Sequence, residues 1–351
     1  MRRRAQRSWL SAAFASAALA AGVVGQADGQ GLMPRGVTEE IRAAIDRGVR
    51  YLQRSQSPGG EWRSAGGYGL YPVAMTGMAG MALVASGSTP TRGPQWRAVR
   101  RSMDWLLDAA DPVTGFVAET RTEERGMFGH GFATLYLASV YGMEEDAVRQ
   151  QRLHGVLTRA VRLIERAQSA AGGWYYYPDS ADDEGSVTVT QMQALRACRM
   201  AGIVVDKRTV DRAVGYLRRC QNPDGGIRYK LDMRGASRPA ITAAGVAVLY
   251  SAGRYDDEPF VERALRFARR HVTVSGGSQH HYYAHLYLAQ AQYQTGGPEW
   301  DAYYEELAAW LVNEQNDDGA WEGDGAGPIY GTAVALTILQ LPYALVPIYQ
   351  R

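Results

Sequence analysis

The sequence predicts an all-α fold, a single α/α toroid of six helical hairpins. Three observations carry this expectation. First, one turn recurs, in which Gln leads to a large apolar residue six positions on: Gln56 to Trp62 (QSPGGEW), Gln168 to Trp174 (QSAAGGW), Gln221 to Ile227 (QNPDGGI) and Gln315 to Trp321 (QNDDGAW). Ala110 to Phe116 (ADPVTGF) and His271 to Gly277 (HVTVSGG) fit the same frame more loosely. The starts fall about 52 residues apart, the fixed period of stacked supersecondary units. Second, an amphipathic helical pattern precedes each turn. Third, a helix apolar on every side follows it, as a buried helix requires.

The elements follow in order. Ile41, Ile45, Val49 and Leu52 recur at helical spacing behind Thr38, an N-cap type, so the first outer helix starts there. MTGMAGMALVASG is its inner partner, and GFATLYLASVYG is the inner helix after the second turn. The third turn leads into VTQMQALRACRMAG. Val210, Val214 and Leu217 repeat the outer pattern before the fourth, and ITAAGVAVLYSAG follows it. YAHLYLAQAQYQTGG and YGTAVALTILQ complete the inner set. Most inner segments end in Gly, the residue suited to a left-handed C-terminal position. The apolar run from Thr332 to Leu341, followed by LPYALVPIYQR, suits ring closure, whereas a linear solenoid would end in a polar cap. The Gly-rich turns then gather at the mouth of any central cavity.

The N-terminus reads as a targeting segment. Arg2, Arg3, Arg4 and Arg7 precede an Ala-rich apolar run from Trp9 to Val24, with small residues after it, as in a secretory signal peptide. The expected organisation is a signal peptide over 1–27, a linker over 28–36 and the toroid over 37–351, with export to the periplasm or beyond the cell. Removing those four Arg from 38 basic residues leaves 34 against 36 acidic ones, so nucleic acid is not an expected partner. No second apolar run of membrane-spanning length appears. Cys198 and Cys220 are too few for a disulfide framework and read as buried thiols. Neither a Walker loop nor G-x-G-x-x-G occurs, which disfavours nucleotide binding.

These Gln-to-Trp turns joined to helical hairpins resemble the prenyltransferase and squalene-cyclase repeat superfamily over Val37 to Arg351. YYAHLYLAQAQYQTGGPEW and GPIYGTAVALTILQLPYALVPIYQR look like an exported bacterial subgroup of it. The resemblance implies an α/α toroid and raises three kinds of chemistry. Squalene–hopene cyclases carry a D-x-D-D motif leading into an inner helix. Framed on Ser186 and Val187, it falls on Ala181, Asp182, Asp183 and Glu184, with Ala181 in place of the first Asp. The resemblance then makes Asp183 a proton donor, with Asp182 and Glu184 beside it. Crowded carboxylates that cannot all ionise are one way to hold such a proton. The same acids also suit solvated surface, cation binding, or a helix cap from Asp179 or Asp182.

Protein prenyltransferases bind zinc through an Asp-x-Cys pair and a later His. Asp-x-Cys is absent here, and His281 and His285, four apart, form no set of ligands by themselves. No metal and no cofactor are expected, and His130 and His285 read as hydrogen-bonded residues lining the cavity. Aromatic faces stabilise cationic intermediates. Those expected near the mouth include Trp174, Tyr176, Phe128, Tyr282, Tyr283 and Tyr330, with turn packing as the alternative role for Trp174. With 21 Tyr against 6 Phe, the cavity should be more polar than a hydrocarbon cyclase needs. Arg228, Lys230, Arg234 and Arg238 form a basic loop suited to a diphosphate or to solvent.

Three functions follow. One is a terpene-cyclase-like or isoprenoid-binding protein acting from Asp183. Another is a non-enzymatic exported toroid that takes a small hydrophobic or amphipathic ligand, or a protein. The third is a carbohydrate-active helical barrel with paired carboxylates.

Overall fold

The computed structural model describes residues 33–350 apart from 65, 67–69, 120–124, 233, 256–257 and 278–279. The expected signal peptide lies outside the described residues. Among the described residues there are twelve α-helices and no strand, only isolated bridges within turns. They are α1 (Glu39–Ser55), α2 (Pro72–Ala85), α3 (Trp96–Asp108), α4 (Gly126–Tyr141), α5 (Ala147–Ala167), α6 (Gly185–Met200), α7 (Lys207–Cys220), α8 (Pro239–Ser251), α9 (Glu258–His271), α10 (His281–Thr295), α11 (Gly297–Asn313) and α12 (Pro328–Leu339). None of the described helices is long and apolar enough to cross a membrane.

The even-numbered helices pack side by side from α2 to α12, and α12 returns to α2, so the inner ring closes. The odd-numbered helices lie outside it. α1 is amphipathic and starts at Thr38, whose hydroxyl accepts the Ile41 N–H at 3.3 Å. Every residue of α2 is buried, as the all-apolar pattern requires. Tight contact between inner helices uses glycine: a Cβ at Gly77 would come within 2.8 Å of the Phe132 carbonyl on α4. Two short 3₁₀ turns, Leu341–Tyr343 and Pro347–Tyr349, follow α12. The second packs against α6 and α10 at the end of the ring away from the Gln–Trp turns.

Those turns join neighbouring repeats. The Gln168 amide donates to Gly172 O within its own turn and to Thr209 O on α7, both at 2.9 Å. Gln56 and Gln221 do the same to Ala98 on α3 and Phe260 on α9. Gln315 reaches Ala44 on α1 at 2.9 Å, which ties the last repeat to the first. Trp62, Trp174 and Trp321 are fully buried, and each donates its indole N–H to a carbonyl ten residues earlier, at 2.7–2.8 Å. The second turn departs from the expected frame. Its hydrogen bonds place Val117 in the Trp position, because Asp111 N–H bonds Phe116 O just as Ser169 N–H bonds Gly173 O. Val117 is fully buried, while Phe116 is only partly so.

Candidate functional site

Every inner helix starts at the turn face, so that face is the mouth of the ring. Tyr176 and Tyr229 occupy the same place in adjacent repeats, two residues past Trp174 and Ile227. Their hydroxyls lie 2.7 Å apart. Tyr229 also reaches Glu184. Glu184 is fully buried and caps α6: its carboxylate accepts the Ser186 N–H at 2.9 Å, the Ser186 hydroxyl at 2.8 Å and the Val187 N–H. Burial raises its pKa against the opposing pull of these bonds.

Asp324, on the loop before α12, supplies a second acid. It accepts the N–H groups of Tyr282 and Tyr283, each at 2.9 Å, and the Tyr330 hydroxyl at 3.2 Å. It thus caps α10 from another repeat. Tyr283 feels the charge of Glu184, and burial raises its pKa well above the ordinary tyrosine value. Its ring meets that of Tyr287 edge-on, with centroids 4.8 Å apart. The two hydroxyls approach each other, yet neither forms a well-aligned hydrogen bond to any protein group.

One to two turns deeper the axis is apolar. Met78, Met81, Phe132, Leu135 and Leu286 surround a cavity of about 20 Å³, closed by Tyr349 from the C-terminal 3₁₀ turn. That is room for about one water. Gln193 and Gln290 pair at 2.8 Å across this floor.

The candidates read from the sequence distribute unevenly. Tyr176, Tyr282, Tyr283 and Tyr330 come together at the mouth, and half-buried Phe128 packs on Phe132, with centroids 5.2 Å apart. Asp183 does not enter the axis. Its Cβ lies where a Gly173 side chain would be, and it neighbours Tyr216 and Cys220 of the outer helix α7. Asp182 is exposed, as is Asp179, and the cap expected from one of them is Glu184 instead. Trp174 is a turn anchor rather than a cavity wall. The basic loop does not converge: Arg228 donates to Arg219 O, and Lys230 sits 4.7 Å above the Tyr175 ring.

His130 and His285 also leave the cavity, for a reason the repeat makes plain. In four repeats a Thr in the first turns of the inner helix accepts the backbone N–H that closes the Gln turn: Thr76 from Trp62, Thr188 from Trp174, Thr242 from Ile227 and Thr332 from Trp321. His130 Nδ1 takes the same N–H from Val117 at 3.1 Å. His285 stands at the matching helix position, with Nδ1 2.7 Å from the Tyr303 hydroxyl on α11. Burial depresses His130 to about 4 and His285 to about 3. His281 and His285 share the face of Trp310, with ring centroids 4.8 and 6.4 Å away. Among the described residues no three His, Cys, Asp or Glu side chains are grouped to hold a metal.

Sequence reasoning missed Tyr229, Asp324 and Tyr287 as a set. Tyr229 was findable, since it repeats the position of Tyr176. Asp324, between Gly323 and Gly325, gives no signal until the ring brings α10 and α12 together.

This geometry bears directly on the architecture. The fold is an α/α toroid. It is shared with the type II terpene cyclase MstE from Scytonema, at a TM-score of 0.60 and 16% identity over 88% of this chain and 100% of that one. A structure of MstE in complex with geranylgeranyl dihydroxybenzoate, its substrate, matches at 0.59 and 16%, over 88% of this chain and 98% of that one. The GH76A α-1,6-mannanase of Salegentibacter sp. matches at 0.62 and 8% identity, over 87% and 99%. No protein-family model and no curated protein sequence matches the chain.

Proposed function

We propose that this toroid is an exported binding protein for a small amphipathic ligand of isoprenoid type. The polar end of the ligand meets Tyr176, Tyr229, Tyr283 and Tyr330, and its apolar chain enters the methionine-rich axis. The observation that carries this reading is the pair of buried hydroxyls, Tyr283 and Tyr287, without aligned partners directly above an apolar floor. Buried hydroxyls left unpaired are costly, and a ligand oxygen would pair them. Met78 and Met81 are flexible enough to move aside for a chain, which the 20 Å³ cavity requires.

The geometry favours binding over proton-initiated catalysis. Asp183 faces α7, and Glu184 is occupied by two backbone N–H groups, Ser186 and Tyr229. Neither offers a proton to the axis. The terpene cyclase MstE, with its geranylgeranyl substrate, supplies the ligand class. A second reading, carbohydrate binding at the same mouth, is favoured by the equally similar mannanase and by the two acids flanking Tyr283. One experiment separates them. Geranylgeraniol should raise the melting temperature of the wild type and do so less for Y283F, whereas α-1,6-mannotriose should leave it unchanged. Stabilisation by mannotriose alone would transfer the site to the second reading, and stabilisation by neither would remove both.

A further inference from the structure

A larger cavity lies off the axis. It has a volume of about 310 Å³ and opens between the outer helices α9 and α11, with α10 as its floor. Its size is that of a small-ligand pocket. Arg269, Gln292, Glu299, Tyr303 and Glu306 supply its polar lining, and Ala302 part of its wall.

Gln292 is the decisive residue. Its side chain projects from α10 and the residue is only 4% exposed, yet its amide has no hydrogen bond to any described protein group. Arg269 Nε is likewise buried without an acceptor. Arg269 Nη2 stands 3.0 Å from Glu299 but is not aligned for a hydrogen bond. Glu306, exposed at the rim, lies close enough to Tyr303 for its charge to raise the tyrosine pKa. Buried amides and guanidinium groups are normally paired, so this cavity holds donors and acceptors awaiting partners.

The lining decides the ligand class. An anion would satisfy Arg269 but would face the carboxylates of both Glu299 and Glu306. A cation would satisfy those carboxylates but leave the N–H groups of Arg269 and Gln292 without acceptors. A neutral polyol serves both, because each hydroxyl accepts from an N–H and donates to a carboxylate or an amide oxygen. From this pattern we infer that the lateral cavity binds a neutral hydroxyl-rich ligand of the monosaccharide or disaccharide class. The site shares no lining residue with the axial cavity and stands independently of the function proposed for it.

Saturation-transfer NMR and titration calorimetry of the full chain with the methyl glycosides of mannose, glucose and galactose test this. The wild type should bind at least one of them saturably. Q292L should weaken that binding roughly tenfold, the effect of losing the two hydrogen bonds of one amide. A302W fills the cavity and should abolish binding while Y330F, at the ring mouth, leaves it unchanged. If Q292L fails to fold, E306Q at the exposed rim carries the same test, with a smaller loss expected. No saturable binding by the wild type overturns the inference, as does binding that survives both A302W and whichever of Q292L and E306Q folds.

Discussion

Replacing Gln315 with Leu tests ring closure at a single side chain. The Gln315 amide donates to Gly319 O at 3.0 Å within its own turn and to Ala44 O at 2.9 Å on α1, 271 residues away. Arg47 of α1 donates back to the Gln315 oxygen at 2.5 Å. Leu keeps most of the volume and removes every one of these bonds. Each is worth about 1 kcal/mol net, and the carbonyls left behind are partly shielded from water, so the loss is roughly 2–3 kcal/mol. In a linear array the bonds to α1 would not exist, and only the local bond to Gly319 would be lost, about 1 kcal/mol. Q168L supplies the internal standard, because Gln168 makes the same two amide bonds inside the ring. Urea unfolding of both variants should give midpoints lowered by similar amounts, with unchanged denaturant slopes. A loss for Q315L half that of Q168L or less would refute closure of the ring through the last turn.

Two further outcomes follow from the repeat. G172A should lose about 2–4 kcal/mol by denaturant unfolding, because Gly172 has φ +94° and a Cβ there would lie 2.5 Å from the Arg212 carbonyl; a near-neutral change would show that the turn does not dock on α7 as described. His130 and His285 are held neutral, at about 4 and about 3, against an unfolded value of 6.5. The unfolded chain therefore takes up these protons first, so the stability they confer is complete above pH 6.5 and is lost as pH falls toward 4 and then 3. For His130 alone the loss is about 3 kcal/mol. H130T restores the residue type used by the other repeats and should flatten this acid limb, and an acid limb of unchanged depth in H130T would refute the assignment.

The architecture was legible in the sequence because a repeat states each rule several times over. The period, the Gln–Trp turns and the all-apolar inner helices each follow from a local pattern, and closure followed from the apolar last helix. The site was less legible because a motif frame fixes chain order, not direction. Asp183 and Glu184 are adjacent, yet one faces the outer helix and the other the mouth. The difference arises where the chain turns extended at Glu184, with φ −159° and ψ 162°, to enter α6. The two buried histidines misled for the opposite reason. They look like exceptions by residue type but fill the Thr position of the repeat, which only the hydrogen bond from the turn reveals.

The acids at the mouth have a physical cause that precedes any catalytic one. All six inner helices begin at the same face, so their N-terminal N–H groups and the positive ends of their dipoles converge there. Capping groups should be drawn to that ring. Glu184 caps α6 from its own chain, and Asp324 caps α10 from the neighbouring repeat. α2, α4 and α8 start without a side-chain cap, and Pro72 and Pro239 relieve two of them by carrying no N–H near the helix start. α4 begins with neither remedy from its own side chains; the Tyr176 carbonyl accepts its Met127 N–H at 3.0 Å. Tyr176 therefore joins the cap of α4 to the hydroxyl chain that ends at Glu184. A ligand oxygen entering beside Tyr176 meets positive helix ends that the protein has only partly neutralised. This favours a polar head group at the mouth over a bare hydrocarbon, while the apolar floor favours a chain behind it.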